Sequence, residues 1–114
     1  MSTIYTAIAV LGMTAILGMY LLSFIFREKE TPKGVAMIHG LFAVIGLVLV
    51  IVYSFGNTPS PTVSLIIFII AAMGGLVLIY KDITGQKVPK WLGLVHGVTA
   101  VIGFSLLIGF ACCQ

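Results

Sequence analysis

The chain has 114 residues, of which 61% are hydrophobic and 8% are charged, and its mean hydropathy is +1.24. A soluble domain carries about 25% charged residues, so this chain has too few to cover a water-facing surface. The composition excludes a soluble domain and predicts one integral membrane domain, residues 1–114, in contact with the lipid bilayer. The small net charge of +3 gives no indication of nucleic-acid binding.

Four uncharged apolar segments have the length of membrane-spanning helices, for which about 20 residues are needed. Strands are not expected, because lipid offers no water to satisfy exposed backbone groups. Short connections make neighbouring helices antiparallel. The sequence therefore predicts an all-α membrane protein with four transmembrane helices in an up-down-up-down bundle. The segments are Ile4–Phe26, Gly34–Tyr53, Val63–Tyr80 and Trp91–Ala111.

The helix boundaries carry recognisable signals. Thr31 and Ser60 each precede a proline, a pattern typical of an N-cap residue followed by proline at the first helical position. Trp91, Tyr80 and Tyr53 lie at helix ends, where amphipathic rings favour the membrane interface.

All charged residues lie in two loops, residues 27–33 and 81–90. An up-down-up-down bundle places these loops on the same side of the membrane, and the positive-inside rule makes that side cytoplasmic. Both termini are then expected outside. The expected location is a bacterial inner membrane.

The second and fourth helices contain a repeated sequence. Residues 32–51 and 89–108 are identical at 10 of 20 positions, at an offset of 57 residues. We interpret the chain as a tandem duplication of a two-helix unit, with repeats of about 1–57 and 58–114. The two histidines of the chain, His39 and His96, occupy the same place in the two copies.

The two histidines are expected at the same depth, because each lies six residues beyond a lysine, roughly 9 Å along the helix axis. Ionisable residues inside a membrane mark functional sites by default. Diagonal helices lie roughly 11–14 Å apart. That span is too wide for a direct histidine–histidine hydrogen bond but suits one haem b with His39 and His96 as axial ligands. Buried structural histidines, another metal and a proton relay remain alternatives.

Small residues flank each histidine at helical spacing and are predicted to leave room for a flat macrocycle. The same spacing is typical of close helix packing in membranes, which is the alternative. Lysines at the first residues of the helices are candidates to form ion pairs with the haem propionates. The predicted cofactor-binding residues are Lys33, Ala36, Gly40, Ala43 and Gly46 in the first copy and Lys90, Gly93, Gly97, Ala100 and Gly103 in the second.

On these residues the chain resembles the b-type membrane cytochromes built as four-helix bundles, in which histidines on two helices bind each haem. The resemblance implies that His39 and His96 are axial ligands. Many such cytochromes hold two haems and need four histidines, whereas this chain supplies one pair. The layout is also similar to the small multidrug resistance transporters, but the carboxylate that these carry in their first helix is absent from Ile4–Phe26.

The expected function is electron transfer through a single haem near the cytoplasmic side, without a chemical reaction of its own. Quinone or another redox protein is the expected partner, and a homo-oligomer or a larger complex is an open alternative. A non-catalytic assembly subunit and a haem carrier or sensor are the competing functions. Adjacent Cys112 and Cys113 indicate neither a disulfide framework nor a zinc site.

Overall fold

The computed structural model describes residues 2–113, and these form an all-α bundle of four helices. Each helix is long and apolar enough to cross a membrane, and the bundle is 43 Å long, close to the roughly 40–45 Å of a bilayer with its headgroups. The four predicted segments all lie within these helices, which confirms the predicted fold class. The helices are α1 (Ser2–Phe26), α2 (Lys33–Gly56), α3 (Thr62–Ile83) and α4 (Lys90–Cys112).

The helices form a ring in chain order. Helix α1 packs on α2, α2 on α3, α3 on α4, and α4 returns to α1, so that α2 and α4 are diagonal. The two charged loops meet at one end of the bundle, where Lys33 pairs with Asp82 and Glu28 pairs with Lys87 and Lys90. We call this the charged end. The structure thus confirms that both charged loops lie on the same side.

The main buried cluster lies toward the opposite end. Ile4, Val50 and Leu107 are fully buried there, and Leu11 and Phe68 pack with them. Most other large apolar side chains are exposed on the outside of the bundle, as expected of surfaces that face lipid acyl chains. The half of the bundle near the charged end has fewer buried side chains.

The predicted side-chain caps are wrong. The N-cap positions of α2 and α3 are Pro32 and Pro61, and neither helix start has a side-chain cap hydrogen bond. The Thr31 hydroxyl instead donates to the Asp82 carboxylate at 2.7 Å. Thr31 therefore connects two loops rather than capping α2.

The three aromatic residues near helix ends differ in exposure. Trp91 and Tyr80 are exposed at the charged end, whereas the Tyr53 side chain is buried. The Tyr53 ring packs edge to face against Phe110, with ring centroids 6.2 Å apart. Tyr53 therefore belongs to the core of the bundle, where aromatic pairs of this kind stabilise helix contacts.

Candidate functional site

The two histidine rings lie next to each other, edge to face, between the diagonal helices. The centroids of the His39 and His96 imidazoles are 6.2 Å apart, and the ring planes are nearly perpendicular at 80°. Both side chains are half-buried within the helical part of the bundle. The structure thus brings together the two residues that the sequence singles out, although they lie 57 positions apart.

Each imidazole is anchored to the preceding helix through Nδ1. His39 Nδ1 lies 2.9 Å from the carbonyl oxygen of Thr14, and His96 Nδ1 lies 2.8 Å from that of Ala71. A carbonyl oxygen only accepts hydrogen bonds, so in each ring Nδ1 carries the proton and its N–H group is the donor. Neutral imidazole in this tautomer has its lone pair on Nε2, the nitrogen that a metal would take.

A glycine on the preceding helix lies directly against each ring. A Cβ built on Gly18 would lie 2.9 Å from His39 Cε1, and one built on Gly75 would lie 3.0 Å from His96 Cε1. Any larger residue at these positions would push the ring away from its carbonyl anchor. The glycines therefore fix how deeply each imidazole sits against its neighbouring helix.

Sequence reasoning missed these supporting residues on α1 and α3, namely Thr14, Gly18, Ala71 and Gly75. A signal for them exists in the sequence. The 57-residue offset relates Thr14 to Ala71 and Gly18 to Gly75, and the glycine pair is an identity. Comparing α1 with α3 at the same offset would have found the glycines, but their contact with the histidines depends on helix rotation.

Three of the glycines predicted to leave room for the haem, the predicted slot, have that room occupied by neighbouring side chains. A Cβ on Gly46 would lie 2.5 Å from Leu11, one on Gly93 would lie 3.1 Å from Leu22, and one on Gly103 would lie 3.2 Å from Ile67. These glycines are buried. Their contacts are those of close helix packing, which the sequence left as the alternative.

The other small residues of the predicted slot have more open surroundings. A Cβ on Gly40 would meet nothing within 4 Å, and one on Gly97 would meet only Leu22 at 3.9 Å. Ala43 and Ala100 are half-buried. Ala36 lines a crevice between α2 and α3 near the charged end.

The two lysines predicted to meet propionates already contact carboxylates. Lys33 Nζ lies 2.6 Å from Asp82 Oδ1, and the Asp82 side chain is largely covered. Lys90 Nζ lies farther from its partner, 3.8 Å from Glu28 Oε2, and both side chains are about half exposed. Lys90 is therefore the freer of the two to take a new anionic partner.

The donor set limits which metal sites are possible. In the described part of the chain, no group of three or more His, Cys, Asp or Glu side chains could hold a metal ion. Two histidines alone do not complete a zinc or copper site, which needs three or four protein ligands. Haem iron needs only axial ligands from the protein, because the porphyrin supplies the other nitrogens.

The separation of the rings fits two axial ligands. A metal held between two imidazole nitrogens, each about 2.0–2.1 Å away, places the ring centroids roughly 6–6.5 Å apart. The observed 6.2 Å falls in this range. A direct hydrogen bond between the rings is not formed, since each Nδ1 bonds a backbone carbonyl. In ring separation and tautomer, His39 and His96 therefore fit the two protein ligands of a bis-histidine haem.

Comparison of the chain with protein-family models, with curated proteins and with solved structures finds no match.

Proposed function

We propose that the protein is a membrane haem b protein that carries electrons through one bis-histidine haem. The observation that carries the proposal is the arrangement of His39 and His96: two neighbouring imidazoles with centroids 6.2 Å apart, each with Nδ1 hydrogen-bonded to a carbonyl. This arrangement resembles that of metal-binding histidines, whose second nitrogen almost always donates to a carbonyl or carboxylate.

In this proposal His39 and His96 would hold the haem iron through Nε2. The haem, when bound, supplies a one-electron couple between ferric and ferrous iron. The carbonyl groups of Thr14 and Ala71 hold the two rings in the tautomer that leaves Nε2 unprotonated, and a hydrogen bond at Nδ1 raises the basicity of the ligand nitrogen. Gly18 and Gly75 set the position of the rings. Gly40, Gly97, Ala43 and Ala100 leave space beside them.

The charged end is assigned to the cytoplasm, because all the basic residues lie in its two loops. The haem would then lie in the cytoplasmic half of the bilayer, in a bacterial inner membrane. One haem at this depth does not carry electrons across the membrane. The proposal therefore includes a redox partner, either a membrane quinone or another redox protein.

The test begins with absorption spectra of the detergent-purified protein, oxidised and then reduced with dithionite, after expression with ample haem. Low-spin bis-histidine haem gives a sharp Soret band and narrow, split bands on reduction. His39→Ala and His96→Ala should each abolish this spectrum. If both variants keep the wild-type spectrum, the ligand assignment is wrong.

Asparagine variants separate ligand binding from packing. In His39→Asn the side-chain amide can still donate to the Thr14 carbonyl, as Nδ1 does, but the nitrogen that would bind iron is gone. We expect His39→Asn and His96→Asn to keep most of the thermal stability of the apoprotein and to lose the low-spin spectrum.

A second candidate function is that of a non-catalytic assembly subunit with structural histidines. The observation that favours it is that the same Nδ1 bonds join α1 to α2 and α3 to α4 inside the membrane. This function predicts a colourless protein that co-purifies with other membrane subunits. It also predicts that His39→Asn leaves the co-purification unchanged, whereas His39→Leu, which loses the bond, weakens it.

A further inference from the structure

A narrow apolar crevice opens between α2 and α3 near the charged end of the bundle. Its lining consists of Lys33, Ala36, Met37, Ile79, Asp82 and Ile83. The Met37 and Ile83 side chains at its rim are more than two-thirds exposed, so the crevice faces the space that acyl chains would fill. The ion pair of Lys33 and Asp82 closes it at the charged end.

The equivalent place between α4 and α1 is filled. The repeat of 57 residues makes Gly93 on α4 the equivalent of Ala36 on α2. In the same way, Leu22 and Ile25 on α1 are the equivalents of Ile79 and Asp82 on α3. There, a Cβ on Gly93 would lie only 3.1 Å from Leu22 and 3.3 Å from Ile25. The two helix pairs therefore differ at this point: side chains fill one interface and leave the other open. The crevice is a local property of α2 and α3 and not a general result of the bundle geometry.

The crevice continues into a polar cavity between the two charged loops. Lys33 and Asp82 line both spaces. Lys29, Lys87 and Lys90 also line the polar cavity, together with the carboxylates of Glu28 and Glu30. Lys87 and Lys90 pair only loosely with an exposed Glu28, at 3.5 and 3.8 Å, and Lys29 makes no ion pair within the described residues. The cavity thus offers ammonium groups beside an apolar channel.

We infer that this combined space binds one anionic phospholipid of the leaflet at the charged end. One acyl chain lies in the crevice along Ala36, Met37 and Ile79, and the headgroup lies at the loops beside Lys29, Lys87 and Lys90. The charge supports an anionic lipid over a zwitterionic one, because lysines outnumber carboxylates by four to three in the lining of the cavity. The six basic and three acidic residues of the chain all lie at this end of the bundle, in residues 27–33 and 81–90. Basic clusters at this level of a membrane protein attract anionic headgroups.

The first experiment is native mass spectrometry of the detergent-solubilised full chain, titrated separately with phosphatidylglycerol and phosphatidylcholine. We expect one phosphatidylglycerol to bind with several-fold preference over phosphatidylcholine. Each of Lys29→Gln and Lys87→Gln should weaken that binding by about fivefold, the change expected from losing one lysine near an anionic headgroup. Equal binding of the two lipids would overturn the inference.

The acyl-chain part is tested by filling the crevice. Ala36→Leu should reduce the binding of phosphatidylglycerol, while Ala9→Leu, the same change at an exposed position on α1, should leave it unchanged. A parallel titration with inorganic phosphate distinguishes a lipid site from a simple anion site. The crevice does not hold an acyl chain if phosphate competes fully with the lipid. The same conclusion follows if Ala36→Leu binds phosphatidylglycerol as the wild type does.

A fluorescence measurement keeps the test independent of any misfolding caused by Ala36→Leu. Met37 and Leu94 occupy equivalent positions, 57 residues apart, at the open and the closed interface. In a Trp91→Phe background, Met37→Trp and Leu94→Trp each give one reporter in vesicles that contain phosphatidylglycerol with brominated acyl chains. The reporter at position 37 should be quenched more by brominated phosphatidylglycerol than by brominated phosphatidylcholine. The reporter at position 94 should show no such difference, and equal behaviour of the two reporters would contradict the inference.

Discussion

Gly18 lies against the imidazole of His39 so closely that a Cβ at this position would stand 2.9 Å from Cε1. The histidine is thus held from two directions, by the Thr14 carbonyl at Nδ1 and by the backbone of α1 at Cε1. A ring with a fixed position and a fixed tautomer loses little freedom when it binds a metal. The same arrangement recurs at Gly75 and His96.

This contact predicts that Gly18→Ala and Gly75→Ala disturb the site more than ordinary helix substitutions do. An exposed Gly→Ala change in a helix stabilises by about 1 kcal/mol, whereas overpacking costs about 1–3 kcal/mol. We expect both variants to melt at lower temperature than the wild type and, in the haem-bound protein, to show a weakened low-spin spectrum. Thermal unfolding and absorption spectra provide the measurement.

The control is Gly109→Ala, because a Cβ at Gly109 would meet nothing within 4 Å. It should leave the spectrum unchanged and keep or raise the melting temperature. If Gly18→Ala behaves like Gly109→Ala, the ring of His39 is not constrained by α1.

The glycines farther from the histidines give a different prediction. Gly46 is packed by Leu11, so Gly46→Ala should destabilise the protein by about 1–3 kcal/mol. Leu11→Ala alone should cost about 2–5 kcal/mol, since Leu11 belongs to the buried cluster. The double variant should cost less than the sum of the two, because the shortened side chain leaves room for the new methyl group.

The haem spectrum of Gly46→Ala, recorded together with its stability, separates the two interpretations of Gly46. A packing role predicts a loss of stability with an unchanged haem spectrum at temperatures where the variant is folded. A role in the haem slot predicts a shifted spectrum under the same conditions. The contact of Gly46 with Leu11 favours the packing role.

The sequence was sufficient to predict the helices and the pairing of the two histidines. Particular residues show which contacts it could not predict. Hydropathy and length determine the four spans, and the 57-residue repeat identifies His39 and His96 as equivalent. The repeat does not reveal that Gly18 and Gly46 have different roles, because this depends on which side chain of the neighbouring helix meets each glycine. Thr31 has the sequence of a helix cap, but its hydroxyl donates a hydrogen bond to the carboxylate of Asp82, 51 residues away. Such long-range competition depends on three-dimensional proximity, which local patterns do not contain.

The proposed orientation predicts which cysteines an impermeant reagent reaches. Cys112 and Cys113 are exposed free thiols at the end of the bundle opposite the charged loops. In intact spheroplasts, a membrane-impermeant maleimide should label them, since this end faces outward in the proposal.

The control for this experiment places a thiol at the charged end. Thr84→Cys, in a background with Cys112→Ser and Cys113→Ser, should be labelled only after the membrane is permeabilised. Labelling of this variant in intact spheroplasts, with protection of the native cysteines, would reverse the orientation.

The loop contacts at the charged end predict unequal roles for two carboxylates. Asp82 accepts from both Lys33 and Thr31, at 2.6 and 2.7 Å, and its side chain is only 15% exposed. Hydrogen bonds to a charged group contribute about 1.5–3 kcal/mol each when they are covered, and exposed ion pairs contribute about 0–1 kcal/mol. We expect Asp82→Ala to destabilise the bundle by about 1–3 kcal/mol, measured by thermal or denaturant unfolding in detergent.

Glu28→Ala is the matched control for Asp82→Ala. Glu28 pairs with Lys87 and Lys90 at 3.5 and 3.8 Å, and its side chain is 59% exposed. Its removal should change the free energy of unfolding by less than about 1 kcal/mol, and that small effect should vanish at high salt because exposed pairs are screened. A larger loss for Glu28→Ala than for Asp82→Ala would mean that the two loops are not joined through Asp82.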